Sequence, residues 1–347
     1  MSIKQIHRNS FACEPVVRKA PNGDLLVVTM AEGLYEPSLD NKLFLLRSTD
    51  GENFKVIGNM LPEEKRAVTT PELYVIDDKI YVFACMHTGK QLCWETVMLV
   101  SEDNGYTWTN KGKPSFVPNY MCLRNMIQNE DGEYIFAYQY FPIDEKEETR
   151  LVSLDANVFH ADIDYIETGI LKTRDMVNFE RFVVNRQMID KSIPKEKYER
   201  WNWPEPTITE LEKDHLVVLT RRNNTGYIYR NESFDGGKTW TETVKTDIPN
   251  PANKFKVYKL SDGRIILLNT PNNAKTNQYE SRNPFEVWLS NDNMKSWYKK
   301  IRLTDFPGLF AYPDGFENVE TNEFIFTFEF NRKDVYLVKV DLKNDKI

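Results

Sequence analysis

The sequence predicts an all-β fold: a six-bladed β-propeller built from four-stranded antiparallel blades. Three observations predict it. A short turn motif recurs along the chain, a hairpin pattern recurs upstream of it, and helical periodicity is weak throughout.

The turn motif is clearest in 101-SEDNGYTW-108 and 233-SFDGGKTW-240. It returns as 48-STDGENF-54 and 290-SNDNMKSW-297, and in a worn form as 173-TRDMVNF-179. The common pattern is Ser/Thr-x-Asp, a turn residue, then an aromatic. The copies start 53 to 72 residues apart, a period that suits a repeated β unit. Aspartate and serine at such positions bond the turn backbone, while the aromatic packs between strands. The motif is therefore expected to be structural. It has too few oxygen ligands for an EF-type calcium loop.

Hairpins precede these turns. They read 14–30, 71–86, 124–138, 205–221, 255–269 and 313–329, with NG, DD or DG turns between strands rich in Val, Ile, Tyr and Phe. A third apolar strand follows each hairpin, as in 43-LFLLR-47, 96-TVMLV-100 and 285-FEVWL-289. Six hairpins give six blades, with the aspartate motif between the third and fourth strands. The last blade has no such motif and ends in 335-VYLVKVDL-342, so 3-IKQIHR-8 is expected to supply its outer strand. The whole chain, 1–347, reads as a single domain. Blade three carries insertions at about 142–157 and 186–204, and 190–201 is the place for one short helix.

Composition narrows the function. With 41% hydrophobic and 28% charged residues the chain can bury a core. A net charge of −7 without long like-charge blocks argues against nucleic-acid binding. No apolar run is long enough to span a membrane. The first residues lack an apolar core of the secretory type, so a cytoplasmic location is expected. Cys13, Cys85, Cys93 and Cys122 form no zinc-type pair, and His7, His87, His160 and His215 have no metal spacing. No metal or cofactor is expected.

In a propeller, function gathers where first strands begin, second strands end, and the connecting loops crown one face. The aspartate turns fall on the other face. Glu205 begins the first strand of blade four, and Arg221 and Arg222 end its second strand. Arg282 lies in a blade-five loop, and Tyr312 precedes the first strand of blade six. Glu329 ends that blade's second strand, and Asp40 lies in a blade-one loop. Trp201 and Trp203 precede Glu205, placed either to pack in the core or to stack on a sugar ring.

The motif S-x-D-x-G-x-T-W and the stretch 205–240 resemble the sialidase (neuraminidase) superfamily and its BNR, or Asp-box, repeats, and the likeness covers nearly the whole chain. The resemblance implies an exo-acting glycoside hydrolase on an acidic or polar sugar at a glycan end. It implies that Arg221 and Arg282 hold a substrate carboxylate, a task the guanidinium fork suits. Tyr312 matches the nucleophile and Glu205 the base that removes its proton, since free tyrosine has a pKa of about 10. Sialidases, with a tyrosine nucleophile, depart from two-carboxylate glycoside hydrolysis. Asp40 fits the general acid and base, and Glu329 the residue that orients an arginine.

The chain departs from the family at one point. Cys13, in 11-FACEP-15, stands where the first of three arginines is expected. Arg66, Arg124, Lys254 and Lys256 are the other cations available, with Arg222 beside Arg221. The departure keeps two further readings open: a lyase or hydrolase acting on uronate-containing sugars, and a non-catalytic carbohydrate-binding propeller.

Overall fold

The computed structural model describes residues 1–195, 197, 200–275, 281–304 and 306–343. Its chain divides into two compact units, residues 1–119 with 308–347, and residues 120–307. Each contains three four-stranded antiparallel sheets.

The first unit opens with β1 (Ser2–Arg8), then a sheet of β2 (Ala12–Lys19), β3 (Leu25–Ala31), β4 (Lys42–Ser48) and β5 (Lys55–Asn59). A second sheet follows: β6 (Ala67–Ile76), β7 (Lys79–His87), β8 (Glu95–Ser101) and the short β9 (Thr109–Asn110). In the second unit one sheet comprises β10 (Met121–Gln128), β11 (Tyr134–Tyr140), β12 (Tyr165–Thr173) and β13 (Glu180–Met188). The next comprises β14 (Thr207–Glu212), β15 (His215–Thr220), β16 (Tyr227–Ser233) and β17 (Val244–Pro249). The unit ends with β18 (Lys256–Lys259), β19 (Ile265–Asn269), β20 (Glu286–Ser290) and β21 (Lys299–Arg302). The chain then returns to the first unit for β22 (Phe310–Asn318), β23 (Glu323–Phe330) and β24 (Asp334–Asp341).

The N-terminal strand closes this last sheet, as expected: β1 pairs antiparallel with β24, from Ser2 opposite Lys339 to Arg8 opposite Asp334. It covers an edge that would otherwise present unpaired backbone groups. Apolar residues from neighbouring sheets fill the spaces between them. Val16, Val28 and Leu45 pack with Leu73, Val82 and Leu99 in one unit, and Val217 and Leu219 with Phe255, Val257 and Leu267 in the other.

The aspartate turns are structural. Asp235 accepts bonds from Ser233 Oγ at 2.8 Å, Lys238 N at 3.0 Å, Thr239 N at 2.9 Å and Thr239 Oγ1 at 2.6 Å. Trp240 Nε1 closes the loop on Gly237 O at 3.0 Å. Asp103 and Asp292 repeat the pattern with Thr107 and Ser296. Each turn follows a third strand, at the sheet end opposite the start of the first strand.

The 142–157 insertion holds a helix that weak periodicity hid, α1 (Glu145–Ser153). Asp144 caps it by accepting from Glu147 N at 2.8 Å, and three glutamates in its first turn suit the positive end of the helix dipole. The short helix expected in 190–201 includes residues 196, 198 and 199, which lie outside the described residues.

Candidate functional site

Four first strands begin with the same local event. Glu14, Thr70, Glu205 and Tyr312 each precede a proline, and each has left-handed backbone, with φ of 52°, 53°, 36° and 52°. A residue before proline prefers extended backbone, and a β-branched residue at positive φ is a clear outlier. In three of these sheets the register shifts at that point, between Cys13 and Val16, Thr69 and Glu72, and Ala311 and Asp314. Blade three has the equivalent shift between Leu123 and Asn125, at Arg124. Proline lacks an N–H, so the ladder loses no donor there, and the bulge turns one side chain out of the alternation. Strain of this kind collects at functional sites. Glu14 and Thr70 were not among the sequence candidates. The recurrent X-Pro at the head of the hairpins was the signal that could have found them.

In the second unit Glu205, just ahead of β14, lies among cations. Its carboxylate lies 2.7 Å from Arg221 Nη1 and 3.3 Å from Arg124 Nη2. Arg221 is fixed by a bond from its Nε to Trp203 O at 2.8 Å, and its own N–H donates to Pro204 O at 3.0 Å. Glu205 N donates to Gln139 Oε1 at 3.1 Å. Lys256 donates from Nζ to Arg124 O. Arg282 Nη2 donates to Ala252 O at 3.3 Å. All six of Arg124, Glu205, Arg221, Lys254, Lys256 and Arg282 are at most 4% exposed.

Burial alone would raise the Glu205 carboxyl. Arg221, Arg124, Lys254 and Arg282 outweigh it and hold the group below its ordinary value, so Glu205 is an anion at neutral pH. Four cations then face one carboxylate. Guanidinium groups gathered in this way have the chemistry to hold a carboxylate.

In the first unit Tyr312 is 7% exposed and packs with Phe11, Cys13, Met30 and Ala311. Glu329 is fully buried and accepts from Glu14 N at 3.0 Å. The blade-one loop turns Glu36 inward, where Oε1 accepts from Thr69 Oγ1 at 2.8 Å and Oε2 pairs with Arg332. Asp40, in the same loop, is exposed; its N–H donates to Ser38 Oγ at 3.2 Å. Arg332 Nη2 also donates to Cys13 Sγ at 3.0 Å. Neither Glu36 nor Arg332 was a sequence candidate, because each sits in a turn with no local motif.

The remaining candidates divide. Arg222 leaves its neighbour and lies over the Tyr229 ring, 4.2 Å from the centroid. Trp203 is 7% exposed and packs edge-on against Phe141 and Phe159, with Trp201 beside it. That makes both tryptophans part of a buried aromatic cluster, with Trp201 Nε1 donating to Phe159 O at 2.6 Å. Arg66 pairs with Glu64 at 2.8 Å and Glu95 at 3.4 Å.

Six four-stranded antiparallel sheets define the class as a sialidase-like β-propeller, and solved structures agree. The chain matches a Hadza microbial sialidase, Hz136, at 16% identity and a TM-score of 0.70, covering 97% of this chain and 66% of that one. Trypanosoma rangeli sialidase with the inhibitor DANA matches at 14% identity and a TM-score of 0.66, covering 96% and 55%. The NanB sialidase from Streptococcus pneumoniae matches at 13% identity and a TM-score of 0.67, covering 97% and 69%. The chain thus spans between about half and two thirds of the length of these sialidases. Such identities speak for the fold. Residues 58–323 match the BNR repeat-like domain, and the chain belongs to that family. No curated protein matches it in sequence.

Proposed function

We propose that the protein is an exo-acting glycoside hydrolase of the sialidase type, acting on an acidic sugar at the end of a glycan. The observation that carries this reading is the buried cluster of Arg124, Arg221, Lys254 and Arg282 around an ionised Glu205. Guanidinium groups in a water-poor setting bind carboxylates through paired, charge-assisted hydrogen bonds. In this reading Arg221 and Arg282, beside Glu205, hold the sugar acid, and Tyr312 is the candidate nucleophile for the anomeric carbon. Asp40 serves the leaving group as general acid. A neutral tyrosine suits an anomeric carbon that already bears a carboxylate, since two anions would repel. The solved Trypanosoma rangeli sialidase in complex with the inhibitor DANA makes that inhibitor the first compound to try.

The test is Tyr312→Phe, which removes only the phenolic oxygen. The variant is expected to lose turnover of a fluorogenic sialoside by at least about a thousandfold while keeping its affinity for DANA. Undiminished turnover in Tyr312→Phe sinks the mechanism.

Cys13, at the place of an expected arginine, favours a second reading, in which the propeller binds or cleaves a uronate-bearing sugar. Release of an unsaturated uronate from an oligosaccharide distinguishes a lyase. Binding of sialosides or uronides without any product distinguishes a carbohydrate-binding module.

A further inference from the structure

The second unit holds an open cavity of about 320 Å³ that shares no residue with the Glu205 cluster. Its volume is near the lower end of small-molecule sites, roughly 300–1,000 Å³. One wall comes from β17, with Asp247 and Pro249. The other comes from the next sheet, with Glu286, Trp288, Trp297 and Lys300.

Strand alternation builds the second wall. Glu286 and Trp288 are two residues apart in β20, so they share a face. Lys300 of β21 stands opposite Trp288 in the ladder and joins that face. Trp288 is 4% exposed and belongs to the core shared with Val217, Leu219 and Ile248, so it forms the floor. Trp297 meets it edge-on, with centroids 5.7 Å apart and planes at 61°, and stays partly exposed.

The polar groups are already oriented. Trp288 Nε1 donates to Glu286 Oε2 at 2.8 Å, and Arg302 Nε donates to Oε1 at 3.3 Å. Lys300 Nζ lies 3.8 Å from the centroid of the Trp288 ring. Asp247 is exposed at the rim.

This lining selects by charge and polarity. An anion would meet the carboxylates of Asp247 and Glu286. A cation would compete with Lys300 for the indole face it covers. A wholly apolar ligand would desolvate three charged groups and offer them no partner. A neutral, hydroxyl-bearing ring avoids all three costs. Its hydroxyls donate to the carboxylates and accept from the ammonium, in charge-assisted hydrogen bonds. Its C–H face can lie on the exposed part of Trp297 and on the flanking prolines, Pro249 and Pro271.

We propose that this cavity between β17 and β20–β21 is a binding site for a neutral pyranose unit of an oligosaccharide. Asp247, Glu286 and Lys300 bond the hydroxyls, and Trp297 supplies the stacking surface. The site goes beyond the function proposed for the Glu205 cluster and does not depend on it.

The experiment titrates the full chain with lactose, cellobiose and maltose, read by ligand-observed NMR. It compares the wild type with Asp247→Ala and Trp297→Ala, and a thermal melt of each variant checks folding. The wild type is expected to bind at least one disaccharide. Asp247→Ala is expected to bind it at least about fivefold more weakly, the loss of one good hydrogen bond. Trp297→Ala is expected to abolish detectable binding. Trp297 also closes an aspartate turn, so the exposed Asp247 supplies the variant that keeps the fold. Excess DANA is expected to leave the disaccharide bound. A wild type that binds none of the three sugars overturns the site. Unchanged affinity in folded Asp247→Ala overturns it as well, and so does displacement of the disaccharide by DANA, which would place the sugar elsewhere. Binding of a disaccharide with these losses, in a protein that does not bind DANA, upholds this site and counts against the acidic-sugar reading alone.

Discussion

Glu205 shows how a buried charge ties stability to pH. It is buried to 3% exposure and bridges Arg124 and Arg221. Removing one member of a buried pair leaves an uncompensated charge, which costs more than the pair itself is worth. Glu205→Gln is therefore expected to destabilise the protein by ~3 kcal/mol, read from chemical denaturation. Its folded pKa lies below the unfolded value of 4.5, because the surrounding cations outweigh burial. Stability from this group is present above about pH 4.5 and is lost as pH falls through the lower folded value. Glu205→Gln should accordingly flatten the acid limb of the stability profile; an unchanged limb would show that the carboxylate is not held down by its neighbours. A loss of turnover in Glu205→Gln bears on the proposed function only in protein shown to be folded, which is why Tyr312→Phe is the better kinetic probe.

At the scale of the element, the aspartate turns and the X-Pro bulges divide the work. Hydrogen bonds from Thr107, from the Asn178 backbone and from Ser296 hold Asp103, Asp175 and Asp292 down to about 2. Their unfolded value is 3.8, so what they contribute is present above pH 3.8 and disappears as pH falls through about 2. Asp235 lies lower still, chiefly through Thr239. Asp235→Ala is expected to lower the melting temperature while leaving DANA affinity as in the wild type, since its turn lies at the far end of the sheet from Glu205. A fall in affinity without a fall in melting temperature would assign that turn to binding. The bulges act at the other end. They place Glu14, Thr70, Arg124 and Tyr312 outside the regular alternation of their strands.

For the whole molecule, the joining of the two ends of the chain matters most. β1 is the outer strand of the sheet formed by β22, β23 and β24, so the first residues complete the last blade. Deleting Ser2–Arg8 would bare the edge of β24, whose row of backbone groups can recruit another chain. The truncated protein is expected to melt lower and to form higher oligomers in light scattering. A monomer that melts as the wild type does would mean that β1 is dispensable.

What the sequence by itself determined is the repeated part of the protein. Six hairpins, the aspartate turns and the closing strand could be read because strand alternation and turn chemistry are local, and repetition multiplies the signal. Glu205, Arg221, Arg282 and Tyr312 could be singled out as candidates because the repeat fixes where first strands begin and second strands end. The pairings were decided by tertiary structure. Arg332 meets Cys13 across 319 positions of sequence, and Glu36 rather than Asp40 turns inward from its loop. Trp203 joined an aromatic core because Phe141 and Phe159, on either side of the preceding insertion, fold against it. Sequence spacing says which end of a blade a residue occupies. Only the folded chain sets the direction of a side chain at a bulge and the partner that desolvates it, because both depend on residues brought from distant strands.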